Sequence, residues 1–405
     1  MSDSLRALYV CYLSLDDPLV HSQVVAYLEG LAKRGHTVHL LTFDTPLTPE
    51  RREELSRDLE RRGISWHSRR YHKRPSLPAT VYDAVTGAFA ALRIMRRHRL
   101  DTIHARNHVP VAMGLIVKRL SGCRLIFDLR GLMAEEYVDA GNWKRGGLAY
   151  RLTERVQGAA IRRADGMVML TEAVRRHLFG QGNGTALRAV IPCCVDLVSF
   201  NGGAPAAADV RRELGVGERP IMVYVGKFSG WYLEREMVDF FATARQQRPD
   251  LVFLVLTQSD QAIIQGEFAR VGAGADDYRV LRVAPEEVGR YLSAAEFGLS
   301  FVRPCFSKIS SSPTKIGEYL AAGLPVVSTA GIGDVDGLLE GDHVGVLVRE
   351  LAAAGYETAA QAALALAADP EARERCRQVA REALSLEEVG IPRYDGLYRT
   401  VAGSR

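Results

Sequence analysis

The sequence predicts an α/β fold of two doubly wound parallel-sheet domains, on three observations. The chain has 405 residues, enough for two or three domains that each bury a core. Short apolar runs alternate with helical patterns from end to end, which implies parallel sheets joined by right-handed crossovers. The alternation pauses at Asn201–Asp209 (NGGAPAAAD) and then restarts. That Gly-, Ala- and Pro-rich stretch is read as the linker.

Taken in order, Leu5–Leu13 reads as a buried strand and Gln23–Arg34 as a helix, with Gly35 placed to close it. Thr37–Phe43 is the next strand. Thr48 and Pro49 then open a helix as N-cap and first residue, which ends near Gly63. Strands follow at Ile64–His67, Thr102–His104, Arg124–Leu129, Gly166–Leu170 and Ala189–Ile191, with helices between them. Beyond the linker, strands are expected at Ile221–Val225, Leu251–Leu256, Arg279–Leu281, Phe297–Phe301, Val326–Ser328 and Gly345–Val348. Leu386–Arg405 reads as a terminal helix. The expected division is 1–200, 210–385 and a 386–405 helix that crosses back to the first domain. Two Rossmann-like halves of this kind face each other across a cleft, with ligands outside the carboxyl ends of the strands.

Composition narrows the function classes. At 47% hydrophobic and 25% charged residues, long disorder is disfavoured. No window approaches the roughly 18 uncharged apolar residues of a membrane span. Met1–Tyr12 enters an apolar run with no basic leader or cleavage site, so no signal peptide is expected. The six cysteines are scattered without a CxxC pair, which disfavours a zinc site or disulfide framework and fits a reducing cytoplasm. Residues 1–200 hold 30 Lys and Arg against 20 Asp and Glu, net +10; the remainder holds 22 against 28, net −6. The first half is therefore expected to meet something anionic.

The sharpest local signal is Phe301–Ser328 (FVRPCFSKISSSPTKIGEYLAAGLPVVS). Ser312 reads as an N-cap and Pro313 as the first residue of a helix running to Ala322 and closed by Gly323. A helix start offers free N–H groups and partial positive charge to a phosphate. Lys315 adds a full charge where the dipole disfavours it, and such broken local rules mark sites. Glu318 lies one turn on, on the same face, where a carboxylate accepts both hydroxyls of a ribose. An ordinary amphipathic helix with an exposed Lys–Glu pair is the alternative. Gly226–Lys227–Phe228–Ser229–Gly230 follows the first strand of the second domain, either as a phosphate loop or as a plain turn. The chain has neither a GxGxxG fingerprint nor a Walker A motif, which disfavours NAD binding and P-loop phosphoryl transfer.

These residues resemble the retaining, GT-B-fold glycosyltransferases of family 4, in the SPTK-type subgroup. The resemblance covers nearly the whole chain. It is carried by the opening LYVCYLSLDDPLVHSQVVAYLEGLAKRGHTVHLLTF, by TIHARNHVPVAMG and IFDLRGLMAEEYVDAGNW, and by VYVGKFSG and SSPTKIGEYLAAGLPVVSTAGIGD in the second domain. It implies a first domain that binds the acceptor and a second that binds a nucleotide-sugar. By position, Lys227 stands for a diphosphate-binding basic residue, Lys315 for the SPTK lysine and Glu318 for the ribose glutamate. Gly226, Ser312 and Thr314 complete the donor set. His108, preferred over His104, falls near the acceptor-domain histidine, and His108, Lys227 and Lys315 form the catalytic set that the resemblance implies. Four positions depart from the family pattern: Ser310 replaces a glutamate, Tyr232 a second basic residue, and Val20–His21 a glycine pair.

The residues suit glycosyl transfer from a nucleotide-sugar to a hydroxyl acceptor such as a lipid-linked saccharide, a polysaccharide or a metabolite. Lys227, Lys315 and the amides after Ser312 stabilise a departing diphosphate. They are expected to replace a divalent metal, since the reading finds no DxD triplet to hold one, and no cofactor is expected. Arg130 and Glu136, past the Arg124–Leu129 strand, are read as acceptor or sugar contacts, with a surface ion pair as the alternative. His21 is a further sugar contact. The stretch Arg61–Arg74 (RRGISWHSRRYHKR) holds six basic residues and no acid. It is either a solvated face or a peripheral dock on anionic lipid at the inner face of the membrane. No nucleic-acid-binding motif accompanies it. A non-catalytic GT-B-like subunit and a sugar-nucleotide epimerase are the competing classes.

Overall fold

The computed structural model describes residues 4–74, 76–181, 187–200 and 203–404. The chain forms two compact units. The first comprises residues 1–192 with 390–405, and the second residues 193–389.

The first unit is built on seven parallel strands: β1 (Arg6–Cys11), β2 (Thr37–Asp44), β3 (Ile64–Arg70), β4 (Thr102–Arg106), β5 (Arg124–Leu129), β6 (Gly166–Met169) and β7 (Arg188–Val190). Their order in the sheet is β3-β2-β1-β4-β5-β6-β7. The order reverses between β1 and β4, so the carboxyl ends of these two strands form the crevice in which doubly wound sheets bind ligands. The second unit repeats the plan with β8 (Ile221–Val225), β9 (Val252–Leu256), β10 (Tyr278–Leu281), β11 (Phe297–Ser300), β12 (Val326–Thr329) and β13 (Gly345–Val348), in the order β10-β9-β8-β11-β12-β13. Its switch point lies between β8 and β11.

Local signals explain many element ends. Thr48 accepts the Arg51 amide and Pro49 opens the Pro49–Arg61 helix. Gly35 and Gly323 take the left-handed conformation just past their helices. Strands β1, β2, β4 and β5 are buried almost throughout, as strands covered on both faces must be. In the second unit, Ile221 and Val223 pack with Ile316, Tyr319 and Leu320 on one face of the sheet. Met222 and Tyr224 pack with Phe240, Phe241 and Phe253 on the other.

The linker reading needs correction. Asn201 and Gly202 lie outside the described residues, but Gly203–Leu214 is a helix, and the units part at Pro192–Cys193. Alanine content that reads as loose chain is also good helix former. The Ile391–Gly403 helix belongs to the first unit. Its Tyr398 hydroxyl lies 2.8 Å from His104 Nδ1, and Leu397 and Val401 pack where Gly166 leaves no Cβ in their way.

Candidate functional site

Strands β8 and β11 pair only at Phe297–Met222 and Gly298–Val223. Beyond that register they splay, and Tyr319 spans the gap. The Val225 amide donates to its hydroxyl (2.8 Å), which donates to the Leu299 carbonyl (3.1 Å). Gly298 makes this possible, because a Cβ there would sit 2.5 Å from the Tyr319 ring. Tyr319 thus satisfies buried backbone groups that the ladder leaves behind and anchors the Thr314–Ala321 helix over the end of β8.

That anchoring places Lys315, four residues earlier on the same face. Lys315 is 7% exposed, and its Nζ has no hydrogen-bond partner. Two aromatic faces hold it instead: Nζ lies 4.1 Å from the centroid of the Tyr224 ring and 3.9 Å from that of Tyr232. Gly226, at φ +126°, lets the backbone pass beside it, since a Cβ there would lie 3.2 Å from Nζ. Burial lowers the Lys315 pKa to about 7, and nearby Glu318 offsets part of that fall. Burial raises the partly buried Glu318 to about 7, against the pull of Lys315. A titratable pair this perturbed at a switch point is a functional-site signature. The ring contacts add cation–π attraction of about 2 kcal/mol or more when desolvated.

Backbone bonds fix the walls. The Arg303 amide donates to the Trp231 carbonyl (2.8 Å) and the Leu233 amide to the Phe301 carbonyl (3.2 Å). Tyr232 bridges Val302 antiparallel. Residues 226–233 are thereby stitched to the chain leaving β11. Tyr232, read from the sequence as a missing basic residue, becomes a wall of the lysine cage. Nothing in its local sequence announces that.

Other expected donor residues are placed differently. Ser312 does not cap the helix. Its hydroxyl accepts the Cys193 amide (3.1 Å), Pro313 takes the N-cap position without a side-chain bond, and the helix begins at Thr314. The amides at this helix start therefore carry no side-chain cap, a better arrangement for an anion than the expected one. Thr314 is half-buried and Lys227 is exposed. The Lys227 carbonyl accepts the Tyr224 hydroxyl (2.6 Å), which shapes the loop. Ser310 is buried and spends its hydroxyl on the Ser307 carbonyl (2.7 Å). A DxD triplet does exist, Asp334–Val335–Asp336, contrary to the sequence reading. Asp336 uses its carboxylate to accept the Gly331 amide at 2.9 and 3.1 Å.

In the first unit, Asp128 at the end of β5 is fully buried. It accepts the Tyr9 hydroxyl (2.9 Å), the Tyr394 hydroxyl (3.3 Å) and Arg106 (3.4 Å), and Arg130 lies 3.5 Å away. Burial pushes this carboxyl up, but the two guanidiniums outweigh it and hold it below the usual range. Arg130 also reaches Gln23 (3.4 Å). The surface-pair alternative for Arg130 is thus replaced by a buried network. Glu136 is half-buried, its carboxylate close against Gly131, where a Cβ would come within 2.9 Å of Oε1. His21 is half-buried and starts the π-helical turn His21–Val25, a distortion common at functional sites.

His108 departs from the expectation of an open polar group. It is 3% exposed, with Nδ1 2.7 Å from Asn107 Oδ1 and Nε2 2.8 Å from Gln157 Oε1. Burial lowers its pKa to about 4. Both ring nitrogens are occupied, Nδ1 with the N-cap residue Asn107 and Nε2 with Gln157 of the Leu148–Arg163 helix. His104, at the middle of β4, is a fully buried core histidine.

Fold and switch-point geometry define a two-domain α/β protein of the GT-B class. Residues 20–199 match the family model described as Glycosyltransferase Family 4. Among solved structures, the chain resembles Anabaena HepE in complex with UDP-glucose (TM-score 0.70, 14% identity, 96% of this chain and 98% of that one). It also resembles sucrose-phosphate synthase from Thermosynechococcus elongatus (TM-score 0.71, 17% identity, 96% and 97%). A third likeness is to a UDP-N-acetylglucosamine 2-epimerase from Listeria monocytogenes (TM-score 0.61, 12% identity, 97% and 94%). No curated protein matches the chain in sequence.

Proposed function

We propose that the protein is a nucleotide-sugar-dependent glycosyltransferase that retains anomeric configuration and needs no metal for leaving-group departure. The observation that carries this reading is the Lys315 ammonium, buried without a hydrogen-bond partner at an uncapped helix start beside the β8–β11 switch point. An ammonium desolvated in this way gains most from an anion. The diphosphate of the donor is seated against Lys315 and the amides of Thr314 and Lys315, with Lys227 closing from the exposed side. Glu318 takes the ribose hydroxyls. As the sugar–phosphate bond breaks, charge develops on the diphosphate, and the prearranged ammonium and amides stabilise it. The leaving phosphate accepts the proton of the acceptor hydroxyl on the same face, so no covalent nucleophile is used. Arg130, which reaches Gln23 and Asp128 at the end of β5, is assigned to the acceptor side, together with His21 and Glu136.

The acceptor is proposed to be lipid-linked and met at an anionic bilayer. Leu77, Val81, Val85 and Phe89 recur every four residues along the Ser76–His98 helix and are 41–59% exposed, with Tyr82 beside them at 55%. Arg70, Lys73 and Arg74 precede this stripe, and Arg93, Arg96 and Arg97 follow it, all exposed. An apolar stripe between basic flanks is the pattern of a surface that lies on anionic lipid. By contrast, Arg61 and Arg62 of the expected patch are engaged with Asp58, and Arg62 also with Glu29. No helix among the described residues is long and apolar enough to cross a membrane.

Thermal shift against UDP, GDP, ADP and dTDP tests the donor reading, since a ligand bound by the native state raises its melting temperature. One nucleotide should stabilise the protein, and Glu318→Ala should abolish that shift. Absence of any shift, together with no turnover of any nucleotide-sugar, would establish the non-catalytic alternative. Product formed without acceptor would establish the epimerase.

A further inference from the structure

Outside the proposed site, His39, His67 and His98 converge in the first unit. His39 comes from β2, His67 from β3 and His98 from the last residue of the Ser76–His98 helix. Their candidate ligand atoms all lie within 4.8 Å of one another, and they are the only such group of three among the described residues. His39 Nδ1 is 3.0 Å from His67 Nε2. The His39 and His67 rings are stacked 5.3 Å apart, and the His98 ring lies 4.6 Å from that of His39.

We infer that His39, His67 and His98 form a binding site for a borderline divalent transition metal, with zinc as its natural occupant. Three imidazoles and a water make a familiar four-coordinate set. At a Zn–N distance of about 2.05 Å, tetrahedral ligand atoms stand about 3.4 Å apart. The His39–His67 pair is already nearer than that, and the widest separation must close by at most about 1.4 Å, which ring rotation provides. The ring-to-ring hydrogen bond requires at least one of these two histidines to be neutral, as a ligand must be. When the metal takes both nitrogens, the proton between them moves to the far nitrogen of its own ring. The tautomer changes, and no net proton is released. Access is available because β3 is the edge strand and His67 and His98 are partly exposed.

The site lies away from the carboxyl ends of the strands. The Arg6 guanidinium, on the first residue of β1, donates to the His98 carbonyl (2.7 Å). This neighbouring charge opposes a bound cation. The role that fits the position is structural: the metal ties edge strand β3 to β2 and to the end of the basic, apolar-striped helix.

The test is zinc titration of the chelator-treated full chain by calorimetry, with thermal unfolding in parallel and Co²⁺ absorption as a reporter of tetrahedral geometry. The expected result is one equivalent of zinc bound, a raised melting temperature and a tetrahedral cobalt band. His67→Gln and His98→Gln, both at partly exposed positions, should each lose these responses while keeping the wild-type circular dichroism. Failure of the wild type to bind saturably, or binding by either variant equal to that of the wild type, would overturn the inference. Donor assays do not enter the readout, so its failure leaves the glycosyltransferase reading intact.

Discussion

The titration of Lys315 makes nucleotide binding depend on pH in a calculable way. The perturbation is a rise in pH from 7 to 9, above the second ionisation of the nucleotide phosphate near 6. With its pKa near 7, Lys315 in the free protein is about half charged at pH 7 and about one-hundredth charged at pH 9. A diphosphate selects the charged form, so affinity should fall about 50-fold over this range, or ~2 kcal/mol. Calorimetric titration of UDP, or of whichever nucleotide the screen selects, in two buffers of different ionisation enthalpy also counts protons. Uptake should rise from about one half at pH 7 towards one at pH 9. Glu318 loses its proton over the same window and opposes part of the trend, so Glu318→Gln isolates the lysine. Lys315→Arg, always charged, should flatten the profile. Constant affinity from pH 7 to 9 with no proton uptake would refute the placement of the anion against this ammonium.

Stability should respond in the opposite sense. Between pH 7 and 10.5 the unfolded lysine holds a proton that the folded one has lost, so this group's contribution rises with pH there. Glu318 is protonated in the fold and ionised when unfolded between pH 4.5 and 7, so its contribution falls over that range. The pair alone therefore gives a minimum near pH 7. Lys315→Met should raise the denaturation midpoint at pH 6 by more than at pH 10, at the expense of turnover. Lys315→Ala should cut turnover more than donor affinity, and equal losses would indicate plain ground-state binding. Gly226→Ala, in a conformation that disfavours Cβ and beside Lys315 Nζ, should cost about 1–3 kcal/mol in urea unfolding and weaken nucleotide binding. Tyr319→Phe should cost about 1–3 kcal/mol, because the Val225 amide loses its partner.

Legibility followed the range of the interactions concerned. Strands β5, β8 and β13 match the sequence reading residue for residue, because apolar runs bounded by turn residues are local signals. Thr48, Gly35 and Gly323 were readable for the same reason. Ser312 was misread because capping competes with other demands on a hydroxyl. Here the Cys193 amide, 119 residues away in sequence, takes it. The histidine triad was invisible because its members are 28 and 31 residues apart, and only strand pairing brings them together.

By itself, then, the sequence determined the periodic α/β plan, the Lys315–Glu318 spacing on one helix face and the excess of cations in its first half. These depend on backbone geometry and composition that each segment carries alone. The tertiary structure decided that Lys315 is enclosed rather than solvated, that Tyr232 is a wall rather than a lost cation, and that His108 is fully engaged. The protonation and availability of a side chain depend on how much water its neighbours exclude, and those neighbours come from distant parts of the chain.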